Sequence, residues 1–113
     1  DLRFPEFYRL LADQRADVIF APAAFTSATG RDHWETLIRA RAIENQAFVI
    51  APNQCGQHAD GTQTYGNSMI VGPWGNVLAR ATEQEGIVCT EIDMRALQQI
   101  RTQLPALNHR RGL

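Results

Sequence analysis

The side chains most able to do chemistry in this sequence are a set of arginines and a thiol close to an imidazole. All 11 basic residues are Arg, and no Lys occurs. A guanidinium offers a planar fork that fits a carboxylate through two parallel hydrogen bonds, on a substrate or on an internal Glu. Arg3, Arg39 and Arg41 are the arginines of interest. For Arg39 and Arg41 the simpler reading is an internal ion pair. Glu35 stands four residues before Arg39, and Glu44 three residues after Arg41, both at helical spacing. For Arg3 a structural role and a substrate-binding role are both open. Cys55 and His58 form a Cys-x-x-His, the residue types of a nucleophile and its base. Such pairs are brought together by the fold and not by sequence proximity, so the spacing assigns no catalytic residue. His33, His58 and His109 lie far apart without zinc-like spacing, and no metal site is expected. His33 is expected to make local hydrogen bonds at a helix start. Gly72-Pro73-Trp74-Gly75 sits between two strands and opens no helix, so it reads as a hairpin turn with Trp74 as a packing anchor, and not as a phosphate cradle.

These residues must be positioned by an alternation of helices and strands. Phe7 to Gln14 reads as a short helix, with Pro5 near its start and Phe7, Leu10 and Leu11 on one face. Val18 to Ala21 is a short apolar run of the kind found in strands buried on both sides. Pro22 to Gly30 reads as a loop. Asp32 to Gln46 is the strongest helix, with Asp32 and Glu35 at capping-box spacing and an apolar stripe of Trp34, Leu37 and Ile38. Arg41 falls on that stripe, where a charge needs a partner, an interface or a route to water. Ala47 to Pro52 is a second buried strand, Asn53 to Thr64 a loop, Ser68 to Val71 a third strand and Asn76 to Ala81 a fourth. Gly86 to Ile92 is expected as a fifth strand, with Cys89 as a small core residue within it. Asp93 caps a last helix, Met94 to Gln103, before Pro105 and a basic tail. The order predicts an α/β fold with a mixed sheet, parallel at its start and antiparallel at its end.

Bulk properties narrow the function classes. The chain has 113 residues, 44% hydrophobic and 20% charged, which suits one globular unit at most. Its net charge of −1, with no block of like charges, implies no nucleic-acid partner. Its apolar runs are too short for a membrane span. Two cysteines make no disulfide framework, so a reduced, cytoplasmic setting is expected.

Several stretches together resemble the nitrilase superfamily of carbon–nitrogen hydrolases. Asp1-Leu2-Arg3-Phe4-Pro5-Glu6 is similar to the run just after the catalytic cysteine, Cys-Tyr-Asp-Leu-Arg-Phe-Pro-Glu. Pro22-Ala23-Ala24-Phe25-Thr26, Thr29-Gly30 and His33-Trp34-Glu35 resemble a second family stretch. The helix Leu37-Ile38-Arg39-Ala40-Arg41-Ala42-Ile43-Glu44-Asn45-Gln46 resembles a third, followed by Ala51-Pro52-Asn53-Gln54-Cys55-Gly56-Gln57-His58. Tyr65-Gly66-Asn67-Ser68-Met69-Ile70-Val71, Pro73-Trp74-Gly75 and Pro105 with His109-Arg110-Arg111 complete the resemblance, which is strongest to the deaminated glutathione amidase and omega-amidase branch. Asn67 departs from the pattern, standing where many relatives have His.

The resemblance implies residues 1–113 as the C-terminal portion of one four-layer α-β-β-α sandwich. It implies an amidase that uses a Glu base, a Lys at the oxyanion and a Cys that forms a thioester, all three expected upstream of Asp1. No catalytic residue, metal or organic cofactor is then expected in these 113 residues. Arg3 is expected to hold a substrate carboxylate, Ala24, Phe25 and Thr26 to line the cleft, and Glu44 to support the site. Trp34 and Arg41 are expected at a homo-oligomer interface, of a dimer or larger assembly. The expected partners are a small amide substrate, the N-terminal portion of the same domain and a second copy. A stand-alone, non-catalytic interaction module is the alternative.

Overall fold

Pro5 fixes the start of the first helix because a ring nitrogen loses nothing where the N–H has no helical acceptor. In the computed structural model, which describes residues 1–112, helix α1 spans Pro5–Asp13. It turns Tyr8 and, in part, Leu11 to the core and leaves Phe7 and Leu10 exposed, so the inward face is rotated from the expected one. Strand β1, Val18–Phe20, follows.

Helix α2 spans Ser27–Asn45 and begins earlier than Asp32. Thr26 occupies the N-cap position without a side-chain bond to the backbone, and Asp32 lies exposed inside the helix. Gly30, read as a loop residue, is helical because the Tyr65 ring packs against it: a Cβ there would sit 2.5 Å from the Tyr65 Cγ. Glu35 pairs with Arg80 at 2.8 Å, and Arg39 donates from Nε to the Gly75 carbonyl at 2.7 Å, so the expected Glu35–Arg39 pair does not form. The helix stops at Gln46, whose φ of 46° breaks the helical path. The Gln46 side chain donates to the Leu104 carbonyl at 2.7 Å, and the Gln46 backbone carbonyl accepts from Arg101 Nε at 2.9 Å.

The main sheet continues through β2 (Phe48–Ala51), β5 (Met69–Val71) and β6 (Val77–Arg80), in the order β1-β2-β5-β6. The β1–β2 pair is parallel, with α2 as its crossover, and the other two pairs are antiparallel. The expected mixed α/β architecture is present. The expected loop, Asn53 to Thr64, contains most of a second hairpin of β3 (Cys55–Gln57) and β4 (Gln63–Tyr65). Its strands are short and polar and carry no apolar alternation to announce them.

Gly86 to Ile92 forms no strand, Ile87 is 91% exposed, and Cys89 is exposed and not a core residue. The segment finds no pairing edge among the described residues. Trp74 stands at the tip of its turn and is 64% exposed, so it anchors nothing within this chain. Helix α3, Met94–Gln103, is capped as expected by Asp93, whose Oδ1 accepts from the Arg95 and Ala96 amides at 2.9 and 3.4 Å.

Tyr8, Ile19, Trp34, Ile38, Ala42, Val49, Met69 and Val71 form the core between the helices and one sheet face. On the other face Phe20 is 66% exposed. The molecule is a slab of 46 × 34 × 21 Å, its thickness that of one helix layer on one sheet. Among the described residues no helix is long and apolar enough to cross a membrane.

Candidate functional site

A cleft of about 460 Å³ opens where the chain leaves β1, beside the turn that precedes α1. Arg3, Tyr8, Phe20, Ala24 and Phe25 are among the residues that line it. The turn is closed by a bond from the Phe4 amide to the Asp1 carbonyl at 2.9 Å. It is fixed to α2 by Arg41, which donates from Nε and Nη2 to the Leu2 carbonyl at 3.0 and 2.7 Å. Arg41 Nη1 also donates to Glu44 Oε1 at 2.9 Å. Glu44 therefore lies away from the cleft and is linked to its entry turn only through Arg41. Burial raises the Tyr8 phenol above its ordinary value, and the nearby Arg41 guanidinium opposes part of that rise.

The opposite wall is the segment after β1. The Phe25 amide donates to Asn53 Oδ1 at 2.8 Å, and the Asn53 amide nitrogen Nδ2 donates to the Gly66 carbonyl at 2.8 Å. The Tyr65 amide donates to the Phe25 carbonyl at 2.8 Å. These bonds pin an irregular segment from both sides, as a buried backbone requires. Phe25 packs on the Trp34 ring at 5.3 Å, and Trp34 Nε1 donates to the Asn67 carbonyl at 2.8 Å. Asn67 has φ 55°, a left-handed conformation that Asn and His enter more readily than most residues.

On this wall rests Arg3. Its guanidinium carbon stands 4.9 Å from the Phe25 ring centre, and Nη1 meets His33 Nδ1 at 3.2 Å. Arg3 is exposed, and among the described residues it pairs with no carboxylate. A cation held in place without an internal counter-ion suits an anionic ligand.

Arg3, Ala24 and Phe25 line one cleft. Thr26 lies one residue beyond it and exchanges a hydrogen bond with the Thr29 hydroxyl at 2.9 Å. Trp34 is fully buried and Arg41 is 5% exposed, so neither has surface left for a partner, contrary to the interface expected of them. The cause lies in their bonds: Trp34 holds Asn67, and Arg41 holds Leu2. Cys55 and His58 are not hydrogen-bonded to each other, and His58 Nε2 lies 3.0 Å from Thr64 Oγ1. Sequence reasoning missed Asn53, which ties the cleft wall to the sheet, and the contact between His33 and Arg3. The only local signal for Asn53 was a polar residue directly after a buried strand. Among the described residues no group of His, Cys, Asp and Glu side chains could hold a metal ion.

The carbon-nitrogen hydrolase family model matches residues 1–102. Deaminated glutathione amidase of Synechocystis sp. is 54% identical over 110 residues, which cover 97% of this chain and 40% of that protein. The crystal structure of the C. elegans NitFhit protein aligns with a TM-score of 0.94 at 45% identity, covering 98% of this chain and 27% of that one. Saccharomyces cerevisiae Nit3, a member of branch 10 of the nitrilase superfamily, aligns with a TM-score of 0.91 at 35% identity, over 99% of this chain and 41% of that one. The chain therefore spans less than half the length of these relatives, and with its match along 1–102 it belongs to the carbon-nitrogen hydrolase family.

Proposed function

We propose that this chain forms the substrate-recognition wall of an amidase acting on a small amide that carries a carboxylate, of the deaminated glutathione type. The observation that carries the reading is Arg3: an exposed guanidinium, seated on Phe25 at the mouth of a cleft, with no carboxylate partner among the described residues. Arg3 takes the substrate carboxylate. Ala24, Phe25 and Thr26 border the rest of the molecule, and Glu44 supports the turn through Arg41. The reacting groups, a Glu base, a Lys and a Cys, belong to sequence outside these 113 residues, which contain no Lys. The Cys thiolate adds to the amide carbon, the carbon–nitrogen bond breaks, and ammonia leaves with a proton. Water then opens the thioester, giving the carboxylic acid and the free thiol.

Two partners follow from the same reading. The exposed sheet face around Phe20 is covered by the rest of the domain. Phe7, Leu10 and Ile43, exposed on α1 and α2, supply apolar surface for a second copy in place of Trp34 and Arg41.

The test uses the full-length protein and two substrates: the monoamide of a short dicarboxylic acid and a neutral amide of the same length. Arg3→Ala is expected to raise KM for the charged amide by about ten- to a hundredfold, the range of a lost charge-assisted bond. Equal effects on both amides would remove Arg3 from carboxylate recognition.

A further inference from the structure

Arg3 is a long, flexible side chain on an exposed turn, and a free guanidinium there would sample many rotamers. Immobilising such a side chain costs free energy at the moment of binding unless the protein has already done so. Two contacts restrict it. The Phe25 ring faces the guanidinium carbon at 4.9 Å and fixes its plane. His33 Nδ1 lies 3.2 Å from Nη1 and fixes its rotation within that plane. Phe25 is itself held by Trp34 and Asn53, whereas His33 is carried on the first turns of α2, whose Gly30 is locked against Tyr65. Both contacts therefore depend on α2, which carries His33 directly and holds Phe25 through Trp34.

We propose that His33 is a positioning residue for substrate recognition: its Nδ1 accepts a hydrogen bond from Arg3 and presents the guanidinium, already oriented, to the carboxylate of the amide substrate. The inference rests on the carboxylate reading of Arg3. An acceptor at this place uses one edge of the guanidinium and leaves the remaining N–H groups for a carboxylate. An acidic residue there would instead neutralise Arg3 and compete with the substrate. An imidazole orients the fork without supplying a negative charge. The geometry requires Nδ1 to be the unprotonated nitrogen, with the ring proton on Nε2.

The experiment compares full-length wild type, His33→Phe, His33→Asn and Arg3→Ala on the two amides. His33→Phe keeps a ring but has no acceptor. In His33→Asn the amide oxygen can take the place of Nδ1. The expected result for His33→Phe is a fall of about tenfold in the preference for the charged over the neutral amide, with KM rising more than kcat falls, the scale of one lost hydrogen bond to a charged group. His33→Asn is expected to recover most of that preference. Taking the ratio of two substrates on the same sample removes any loss of folded enzyme. If Arg3→Ala lowers the preference while His33→Phe leaves it intact, the positioning role is overturned and the carboxylate reading stands. If Arg3→Ala leaves the preference intact, both fall. If His33→Asn is as poor as His33→Phe, hydrogen-bond acceptance is not what His33 supplies, and the proposal also fails.

Discussion

Arg41 decides how firmly the cleft's entry turn is held, and its energetics can be divided by burial. Its ion pair with Glu44 is partly solvated, since the Glu44 side chain is 31% exposed. Such a pair contributes at most about 1 kcal/mol. The two bonds to the Leu2 carbonyl are different: they are made by a guanidinium that is almost wholly buried, to a carbonyl that has lost its water. Removing the donor leaves that carbonyl unsatisfied, at a cost of about 1–3 kcal/mol beyond the ion pair. Arg41→Ala is therefore expected to lower the stability of the full-length protein by about 1–4 kcal/mol, read from the denaturant midpoint. Arg41→Lys keeps the charge but loses the fork, and its loss is expected to be intermediate. A change under about 0.5 kcal/mol for the alanine variant would mean that Arg41 behaves as a surface charge does. It would also remove the link from Glu44 to the site.

At the level of elements, α2 is held by a close contact that runs against local preference. Ala is favoured over Gly inside a helix by about 0.8–1.0 kcal/mol. At Gly30 that preference meets the Tyr65 side chain, whose Cγ, Cβ and Cδ2 would lie 2.5, 2.6 and 2.8 Å from an added Cβ. Overpacking of this kind costs about 1–3 kcal/mol. Gly30→Ala is expected to lower the melting temperature of the full-length protein, where a solvent-facing helical glycine would raise it. The double variant Gly30→Ala, Tyr65→Ala should lose less than the two single changes added together. A stabilised Gly30→Ala would mean that Tyr65 moves aside at little cost. The same contact explains what the sequence could and could not reveal. Strands β1, β2, β5 and β6 are legible from apolar runs, and the arginine at position 3 from its residue type and from the family pattern around it. The start of α2 was misplaced because Gly30 and Thr26 look like loop residues until Tyr65, distant in sequence, is placed against them. Hairpin β3–β4 was missed because its pairing is polar, and the Gly86 to Ile92 strand was expected because apolar content alone does not supply a pairing edge. Asn53 was missed because its partners, Phe25 and Gly66, lie on other loops.

At the scale of the whole molecule, the main sheet packs on α1 and α2 with one face, and its other face is covered only in part, with Phe48 and Ile70 buried and Phe20 exposed. Ile19 faces the helices, whereas Phe20 points the other way and lies in register with Ile50, which in turn pairs with Ile70. Here the second face leaves Phe20 66% exposed and Ile50 half-buried. Covering a phenylalanine contributes about 1.5–3 kcal/mol. That gain is lost to this chain by itself and is available from a second sheet of the same domain or from another copy of the chain. The 113-residue chain on its own is therefore expected to self-associate, with a weight-average mass that rises with concentration in sedimentation. Phe20→Thr separates the two sources of cover by the sign of its effect. In the isolated chain it should reduce association, because the exposed ring drives it. In the full-length protein the proposed second sheet would bury the ring, and the same change should then destabilise by about 3 kcal/mol or more through the cavity it leaves. A monomeric isolated chain with a sharp, reversible melt would show that this sheet face needs no cover. A full-length Phe20→Thr variant as stable as wild type would show that nothing packs on Phe20, and the two-sheet arrangement proposed for the domain would have to be abandoned.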